Sequence, residues 1–540
     1  MNFISIFGLL ALLGIAWLLS YHKSNIKLKP ILWGIGLQFL FALIILRSDY
    51  FSYIGMGILG LLLVTYILQK DDQKIGGGFK ALIIVLIGSS IVWTVFYLIP
   101  GVPKWMLIAS VLFLILNAKM KYFQPAQRFV AAVFVISGIA YLVVHGLHGQ
   151  IIFKSFSDKI ASFLSLSDFG AKFLFANLSD GAYFFTGPDA QWPGFGFQFA
   201  FKVLPTIIFF GGFMSVLYYL GIMQKVIESM SKFMRWTIGT SGAETLSCSA
   251  NIFVGQTEAP LLIKPFLNKM TKSELLTVMV GGFATIAGGV LAGYISMGVP
   301  AGHLIAASVM SAPAALVVGK IIFPEMEHSE TAGDVELPKI SVGSNVIEAA
   351  TNGITDGLKL AVNVGAMLIG FIALIAVIDV LLNYVDLLID GKIFKGEYYS
   401  YDASGMSPAI GEYRGLIPGS LQTLFGTLLR PLAWLMGVSW TQADKVGNLL
   451  GIKLSLNEFV AYGTLGTYIN NGVLNERAII ISTYALCGFA NFSSIGIQIG
   501  GISALAPNRK SDLAKVGLKA MFGGAIASFM TATIAGILLV

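Results

Sequence analysis

The stretch from Asn251 to Pro260 places three consecutive polar side chains, Gln256, Thr257 and Glu258, inside a strongly apolar region. Glycine precedes this triplet, and proline follows two residues after it. In a helix interior glycine costs about 1 kcal/mol and proline about 3 kcal/mol, and a carboxylate at bilayer depth costs at least ~2.5 kcal/mol. Such a break is tolerated where protein buries it or where it lines a water-filled cavity. We therefore expect the tip of a re-entrant hairpin that holds a substrate.

The amino-acid composition is that of a protein embedded in a lipid bilayer. Of 540 residues, 56% are hydrophobic and only 12% are charged, whereas soluble domains carry about 25% charged residues. The basic residues lie in short loops that alternate with loops poor in Lys and Arg, which is the positive-inside pattern. This pattern, rather than binding to nucleic acid, accounts for the net charge of +7. It predicts an integral multi-pass membrane protein with the N-terminus and the C-terminus outside.

The apolar runs predict an all-α polytopic membrane protein with about 12 spans, since each span needs about 20 apolar residues. The candidate spans are 2–20, 30–48, 52–69, 80–99, 104–118, 128–146, 197–221, 274–297, 301–322, 355–385, 416–438, 477–506 and 511–540. Two further helices are expected on the membrane surfaces. One is an external helix at 150–178, and the other is a cytoplasmic amphipathic helix at 222–240.

Two short sequence echoes relate the halves of the chain. Residues 256–258 read Gln-Thr-Glu and residues 457–458 read Asn-Glu, each within an expected hairpin, at 245–270 and near 444–470. The spans that follow read Gly-Phe-Ala-Thr at 282–285 and Gly-Phe-Ala-Asn at 488–491. We therefore expect inverted repeats with two re-entrant helical hairpins and two broken transmembrane helices, with a binding site near the midplane.

The polar groups of these repeats are suited to a hydroxyl-rich heterocyclic ligand. Thr285 and Asn491 fall at the expected breaks, where unwound helix ends leave backbone groups free to bind an ion or a polar molecule. Glu258 and Glu458 would accept hydrogen bonds from substrate hydroxyls, and amides such as that of Gln256 can both donate to and accept from a base edge. The alternative is that these side chains only satisfy one another between helices.

At these residues the chain resembles the concentrative nucleoside transporter family. The run from Gly451 to Tyr462, Gly-x-Lys-x-x-x-Asn-Glu-Phe-Val-Ala-Tyr, matches the family signature, and the first hairpin, the break at 489–494 and the Gly-Gly-Val-Leu-Ala-Gly run ending at Gly293 match as well. The resemblance covers roughly residues 1–48 and 148–540. It implies import of nucleosides such as uridine, cytidine and adenosine with sodium, or in some members protons. It further implies a homotrimer in a bacterial cytoplasmic (inner) membrane, with a scaffold and a transport domain that moves like an elevator through membrane lipid.

The resemblance also implies roles for particular residues. It assigns substrate contacts to Gln256, Thr257, Glu258, Val290, Glu458, Phe489, Asn491 and Ser494. It assigns the coupling sodium ion to Asn251, Val254, Thr285 and Ile286, two of them through backbone carbonyls, and it implies no other cofactor. Several bacterial relatives have Ser where this chain has Thr285.

The expected organisation adds an insertion to the family pattern, since residues 49–147 have no counterpart in the shorter bacterial relatives. A peripheral role is expected for this insertion. The segments are 1–48, two N-terminal scaffold spans; 49–147, an extra four-span insertion; 148–221, an external interfacial helix and a scaffold span; 222–323, the first inverted repeat; 324–345, a cytoplasmic linker; 346–415, a scaffold span and an external loop; and 416–540, the second inverted repeat.

Two other functions remain open from the residues. Proton coupling would use a carboxylate such as Glu258 as the proton carrier, although the neutral oxygens of Asn251 and Thr285 favour sodium. A membrane-embedded hydrolase would use Glu258 and Glu458 as an acid–base pair. The chain has no metal-ligand cluster or nucleophile elbow for such an enzyme, so a transporter without enzymatic activity is expected.

Overall fold

The computed structural model describes residues 3–69, 101–120, 124–184, 194–196, 198–333, 342–397 and 417–539, together with 94, 98 and 99. All regular structure in these residues is helical, without a β-strand, so the all-α prediction is confirmed. The expected span at 80–99 lies almost wholly outside the described residues, as do parts of the linker and of the external loop. The α-helices are α1 (Phe3–Leu18), α2 (Leu28–Leu46), α3 (Tyr50–Leu68), α4 (Val102–Met120), α5 (Gln124–Val144), α6 (Gly149–Leu164), α7 (Ser167–Phe175), α8 (Phe199–Tyr219), α9 (Ile222–Ile238), α10 (Gly242–Ala250), α11 (Ala259–Leu262), α12 (Lys272–Ala284), α13 (Gly288–Ser296), α14 (Ala301–Ile322), α15 (Val346–Asp386), α16 (Leu421–Leu435), α17 (Ala443–Ser455), α18 (Glu458–Asn470), α19 (Glu476–Leu486), α20 (Phe492–Leu505) and α21 (Lys510–Leu538).

One expected helix is divided in the structure, and another is longer than its expected span. The single external helix at 150–178 is instead the pair α6 and α7, because the Ser165 hydroxyl donates to the Ser162 carbonyl at 2.8 Å where the first helix ends. Helix α15 begins at Val346, the first residue of the expected scaffold segment 346–415, and therefore extends the span expected at about 355–385 toward the N-terminus. Asn345 caps its first turn by accepting a hydrogen bond from the Glu348 amide at 2.9 Å, which favours an earlier helix start.

Eight helices in the described part of the chain are long and apolar enough to cross a membrane. They differ sharply in burial. In the α12–α13 unit, α14 and α21, 89%, 83% and 94% of an apolar stretch of 18 residues is buried inside the molecule. In α15 only 6% of such a stretch is buried. Helices that are apolar on all sides and buried form the core of a membrane protein, and the exposed ones border it. Helices α12–α14 and α21 therefore form the centre of the core, which extends to shorter buried helices such as α10 and α19.

Small residues let the helices approach one another closely. A Cβ atom on Gly524 of α21 would lie 2.2 Å from the Phe283 Cβ atom of α12. Outside the core, α8 and α15 form a separate pair, in which a Cβ on Gly211 would lie 2.7 Å from the Gly353 carbonyl oxygen. Such small-residue contacts are the usual basis of helix association in membranes.

Contacts at the helix ends define two faces of the molecule. On one, the Tyr21 amide donates to the Ile322 carbonyl at 2.8 Å, and Lys519 Nζ donates to the Leu19 carbonyl at 2.9 Å. We call this the basic face, since the lysine-bearing loop after α1 lies there. On the opposite face, Arg47 Nη1 donates to the Leu538 carbonyl at 3.3 Å.

Candidate functional site

The first hairpin is attached at both of its ends to the basic face. At the start of α10, the Glu244 carboxylate pairs with Lys320 near the end of α14, with 2.8 Å between Oε2 and Nζ. On the returning limb, Arg509 Nη1 donates to the Met270 carbonyl at 2.6 Å. The returning limb holds only the short helix α11. Pro265 ends it early because proline cannot donate a backbone hydrogen bond and disfavours helix in the residue before it.

The span after the first hairpin is interrupted where Thr285 was expected to fall. Helix α12 ends at Ala284, Thr285 is extended at φ −120° and ψ 163°, and α13 begins at Gly288. The Thr285 hydroxyl donates to the Gly281 carbonyl at 2.9 Å. The Gly288 amide donates to the Phe253 carbonyl at 3.1 Å, which joins this break to the hairpin tip.

The second hairpin, α17 and α18, is attached to the opposite face. Gln442, just before α17, donates from Nε2 to the Val473 carbonyl just after α18 at 3.3 Å, which joins the two ends of the hairpin. Four residues further on, Arg477 Nη1 donates to the Leu539 carbonyl at 2.6 Å, which places these ends beside the end of α21 on the opposite face. At the tip, Asn457 Oδ1 accepts from the Val460 amide at 3.0 Å. This N-cap makes Glu458 the first residue of α18.

The second break begins earlier than expected. Helix α19 ends at Leu486, so the Gly-Phe-Ala triplet at 488–490 lies within the interruption rather than at the end of the helix. The cause is local, because Gly488 adopts φ +132°, which a helix cannot contain. Asn491 then caps α20 by accepting from the Ser494 amide at 2.9 Å.

The two breaks touch each other at Gly488. A Cβ atom there would lie 2.5 Å from the Phe283 carbonyl oxygen and 2.8 Å from the Ala284 carbonyl carbon. Both the positive φ and the contact therefore require glycine. This crossing fixes the position of the first break relative to the second.

A cavity of about 780 Å³ lies between the two hairpin tips and α15. It brings together all eight residues expected at the substrate site, which are Gln256, Thr257, Glu258, Val290, Glu458, Phe489, Asn491 and Ser494. Glu258 is exposed in it, whereas the Glu458 side chain is 3% exposed. The two carboxylates thus border one cavity but differ in their contact with solvent.

The buried polar groups of the cavity are partly satisfied by one another. Glu458 accepts from the Asn491 side-chain amide at 3.3 Å and from the Tyr294 hydroxyl at 3.3 Å. Gln256 accepts from Gln498 Nε2 at 3.0 Å. These polar side chains therefore do form hydrogen bonds with one another between helices. Each carboxylate oxygen of Glu458 can still accept a further hydrogen bond from a ligand.

Three residues of this region were not identified from the sequence. Tyr294 and Gln498 hold Glu458 and Gln256, and Asn363 of α15 borders the cavity opposite the tips. Each of the three is a polar residue within an apolar run of the sequence. Such residues are costly in lipid unless they face protein or water, so this pattern could have identified them. The pattern identifies a residue without indicating its partner.

The residues expected at the ion meet around the first break. Asn251 is 1% exposed, and both atoms of its side-chain amide lack a hydrogen-bond partner. It adjoins α12, because a Cβ atom on Gly281 would lie 3.4 Å from its Nδ2 atom. Val254 is on the same tip, and Thr285 and Ile286 are in the break. A buried amide without a partner is rare, and neutral oxygens suit a hard cation.

Known protein families match most of the chain. Models described as Na⁺ dependent nucleoside transporter N-terminus, nucleoside recognition (Gate) and Na⁺ dependent nucleoside transporter C-terminus match residues 7–67, 200–301 and 303–536. An uncharacterized transporter of Haemophilus influenzae is 42% identical over 416 residues, which are 76% of this chain and 90% of the relative.

The chain is also similar to a mammalian cotransporter and to a solved transporter structure. Sodium/nucleoside cotransporter 1 of Mus musculus is 42% identical over 419 residues, 74% of this chain, but the match spans only 58% of the mouse protein. The structure of CNTnw in an inward-facing substrate-bound state is 32% identical, with a TM-score of 0.70, and the match covers 99% of this chain and 97% of that one.

The helical core, the interrupted helices and the polar cavity define a polytopic membrane transporter. The chain belongs to the Na⁺-dependent nucleoside transporter family. The sequence-based identification of the family is thereby confirmed, and sodium is the coupling ion of that family.

Proposed function

We propose that the protein is a symporter that imports nucleosides across a bacterial cytoplasmic membrane, driven by sodium. The observation that carries this proposal is the cavity of about 780 Å³ bordered by both acid-bearing tips. A nucleoside has a flat base with donors and acceptors and a sugar with hydroxyls. Gln256, Thr257 and Glu258 would contact the base on one side, with Val290 beside it. Glu458 and Asn491 would hold the sugar on the other.

Two further residues complete the proposed substrate site. Ser494 would add a hydroxyl beside the sugar, and Phe489 would offer a ring to the ligand. Ser494 already lies 3.4 Å from Gln256, measured between Oγ and Nε2, so the groups proposed for sugar and base are in contact. A bound nucleoside can therefore tie the two hairpins together.

Sodium is proposed at the first break. Asn251 and Thr285 would supply side-chain oxygens, and Val254 and Ile286 backbone carbonyls. The ion would bind the unpartnered Asn251 side-chain oxygen and hold the tip that carries Gln256. Substrate and ion then stabilise the same conformation, which is the basis of coupling between two sites.

The proposed movement is of the elevator type. The first hairpin begins and ends at the basic face, and the second begins and ends at the opposite face, which supports two re-entrant hairpins of inverted orientation. The cavity lies at the border between the hairpin tips and α15. In this proposal the α8–α15 pair belongs to the scaffold, and the buried core moves past it with the substrate.

The remaining architecture follows the same proposal. We place about 12 spans in the chain, with both termini outside and the basic face toward the cytoplasm. The scaffold would hold a homotrimer, with residues 1–48, 148–221 and 346–415 as scaffold, 222–323 and 416–540 as inverted repeats, and 324–345 as a cytoplasmic linker. Residues 49–147 would form a peripheral insertion.

The test is uptake of labelled uridine into proteoliposomes. We expect intact uridine to accumulate when a sodium gradient points inward, and not with choline outside. Accumulation driven by a proton gradient without sodium would instead support proton coupling. Recovery of cleaved base and sugar would support the hydrolase and contradict transport.

The ion site has its own test in Thr285→Val, which keeps the side-chain shape and removes the hydroxyl. The sodium concentration for half-maximal uptake should rise about tenfold or more, since one oxygen ligand is lost, while competition among nucleosides stays unchanged. Thr277→Val is the matched control, because the Thr277 hydroxyl makes the same type of bond on the same helix, to the Ser273 carbonyl at 2.9 Å. Equal sodium dependence in both variants would contradict the site.

A further inference from the structure

A buried lysine distinguishes the second hairpin from the first. Lys453 lies five residues before Glu458, whereas the residue five before Glu258 is Phe253. The Lys453 side chain is 0% exposed. A charge at this depth is costly unless fixed partners surround it, so its contacts indicate what it does.

The Lys453 ammonium lies at the carbonyl end of α19, where the second break begins. Its Nζ atom donates to the Ala485 carbonyl at 2.8 Å. The last carbonyls of a helix lack partners within the helix and carry partial negative charge, which favours a cation there. The neighbouring Thr483 carbonyl accepts from the Tyr462 hydroxyl at 2.8 Å. Lys453 Nζ also lies 5.5 Å from the centre of the Phe529 ring, a range in which the ring face attracts a cation.

At the first break a neutral amide takes the corresponding place. Asn251 adjoins the last turn of α12, near Gly281, and its side-chain amide has no partner. Under the proposed function a sodium ion binds there. The free ion of the first repeat and the ammonium of the second would thus occupy corresponding positions, each at the carbonyl end of a half-helix and beneath a hairpin tip.

The lysine also lies beside the substrate side of the tip. Lys453 is in the last turn of α17 and Glu458 is the first residue of α18, so the two residues flank the same tip. Glu458 is nearly buried, and its carboxylate accepts hydrogen bonds from Asn491 and Tyr294. The ammonium therefore fixes the limb of the hairpin that leads directly to this acid.

We propose that Lys453 is a tethered cation that does for the second hairpin what sodium does for the first. Because this cation is covalently attached, the second hairpin and break stay ordered without sodium, and only the first hairpin responds to the ion. This rests on the proposed sodium-coupled function and adds to it that the two breaks together require one sodium ion per cycle. Lys453 acts through the break and through the tip that carries Glu458, and is thus a positioning residue.

Hydrogen exchange of the full-length protein in sodium and in choline tests the proposal without any substitution. We expect sodium to slow exchange in peptides covering 251–258 and 285–288 and to leave 453–459 and 487–491 unchanged. Slowing of both pairs of segments would overturn the tethered-cation role while leaving sodium coupling intact. Absence of slowing at 251–258 would contradict the sodium site itself, and with it the inference.

The variant Lys453→Ala should transfer sodium sensitivity to the second hairpin. In choline, exchange at 453–459 should become about tenfold faster, the effect of losing one charge-assisted hydrogen bond. Sodium should then slow it again by filling the vacated position. Lys320→Ala is the control, since Lys320 is a buried lysine paired with Glu244, and its loss should give no sodium response at 453–459.

Faster exchange in Lys453→Ala that sodium does not slow would show that the lysine only fills space, and would overturn the proposal. Should Lys453→Ala fail to fold, the experiment on the unsubstituted protein decides the question.

Discussion

Glu458 is one residue at which the two repeats are connected by a direct hydrogen bond. The Asn491 amide approaches it from the second repeat and the Tyr294 hydroxyl from the first, each at 3.3 Å. Donors on both sides hold the carboxylate in one orientation at the cavity wall. A substrate hydroxyl would meet an acceptor that needs no rearrangement, and preorganisation of this kind favours binding.

Substitutions here should separate the effect of the Glu458 charge on uptake from the effect of its orientation. Glu458→Gln should abolish uridine uptake while the protein remains folded, because the amide cannot accept on both atoms. Tyr294→Phe should lower uptake by about tenfold through loss of one hydrogen bond to a charged group. Tyr484→Phe is the matched control, since the buried Tyr484 hydroxyl has no partner, and its uptake should equal that of the unsubstituted protein. Full uptake in Glu458→Gln would remove Glu458 from the site.

At the scale of the helices, the crossing of the two breaks is tightly constrained. Interrupted helices expose polar backbone that must be buried or hydrated. Here the interruption of α19–α20 packs against the end of α12 through Gly488. The contact leaves no room for a side chain, so the two breaks cannot move independently without separating there.

Gly488→Ala should therefore destabilise the protein. A strained positive φ costs about 1–3 kcal/mol, and the added Cβ atom would also collide with the Phe283 carbonyl 2.5 Å away. Thermal unfolding in detergent measures the change. Gly496→Ala on α20 is the control, because a Cβ atom there meets nothing within 4 Å, and alanine favours helix by about 1 kcal/mol. Equal unfolding temperatures for both variants would contradict a tight crossing.

At the scale of the whole molecule, a cross-link between α8 and α13 tests whether the core moves past the scaffold. A Cβ atom on Gly293 would lie 2.9 Å from the Val203 Cγ1 atom, so cysteines at both positions are near enough for a disulfide. In the Val203→Cys, Gly293→Cys double variant, oxidation should stop uptake and reduction should restore it.

The control pair lies within the body proposed to move. A Cβ atom on Gly523 would lie 3.0 Å from the Val280 Cγ2 atom, so Val280→Cys with Gly523→Cys forms a comparable cross-link between α12 and α21. Uptake should survive oxidation in this pair. Continued uptake by the oxidised 203–293 pair would contradict movement of the core past α8.

The proposed insertion can be removed as a unit because its two ends meet. A Cβ atom on Gly149 would lie 2.3 Å from the Ile44 carbonyl oxygen, and the Gly149 amide donates to Ser52 Oγ at 3.0 Å. Deleting 49–147 should leave sodium-dependent uridine uptake in proteoliposomes. Thermal stability should fall, since Trp236 loses its 3.0 Å hydrogen bond to Gln69. A folded, monodisperse deletion variant without uptake would contradict a peripheral role.

The sequence alone determined the membrane class, the α-helical fold and eight of the residues that border the cavity. These depend on local properties: the length of apolar runs, and polar residues such as Gln256 and Glu458 where lipid does not tolerate them. The family resemblance rested on motifs of the same local kind. Boundaries were less accurate, because caps such as Asn345 and turns such as Ser165 act through single hydrogen bonds.

Only the tertiary structure decided which groups meet. Tyr294 reaches Glu458 from 164 positions away in the chain, and Gln498 reaches Gln256 from 242 positions away. The contact of Gly488 with the end of α12 likewise depends on how two interrupted helices cross. Hydrogen bonding and close packing between distant segments leave no periodic trace in either segment, so the partners of these residues emerged only when the helices were placed together.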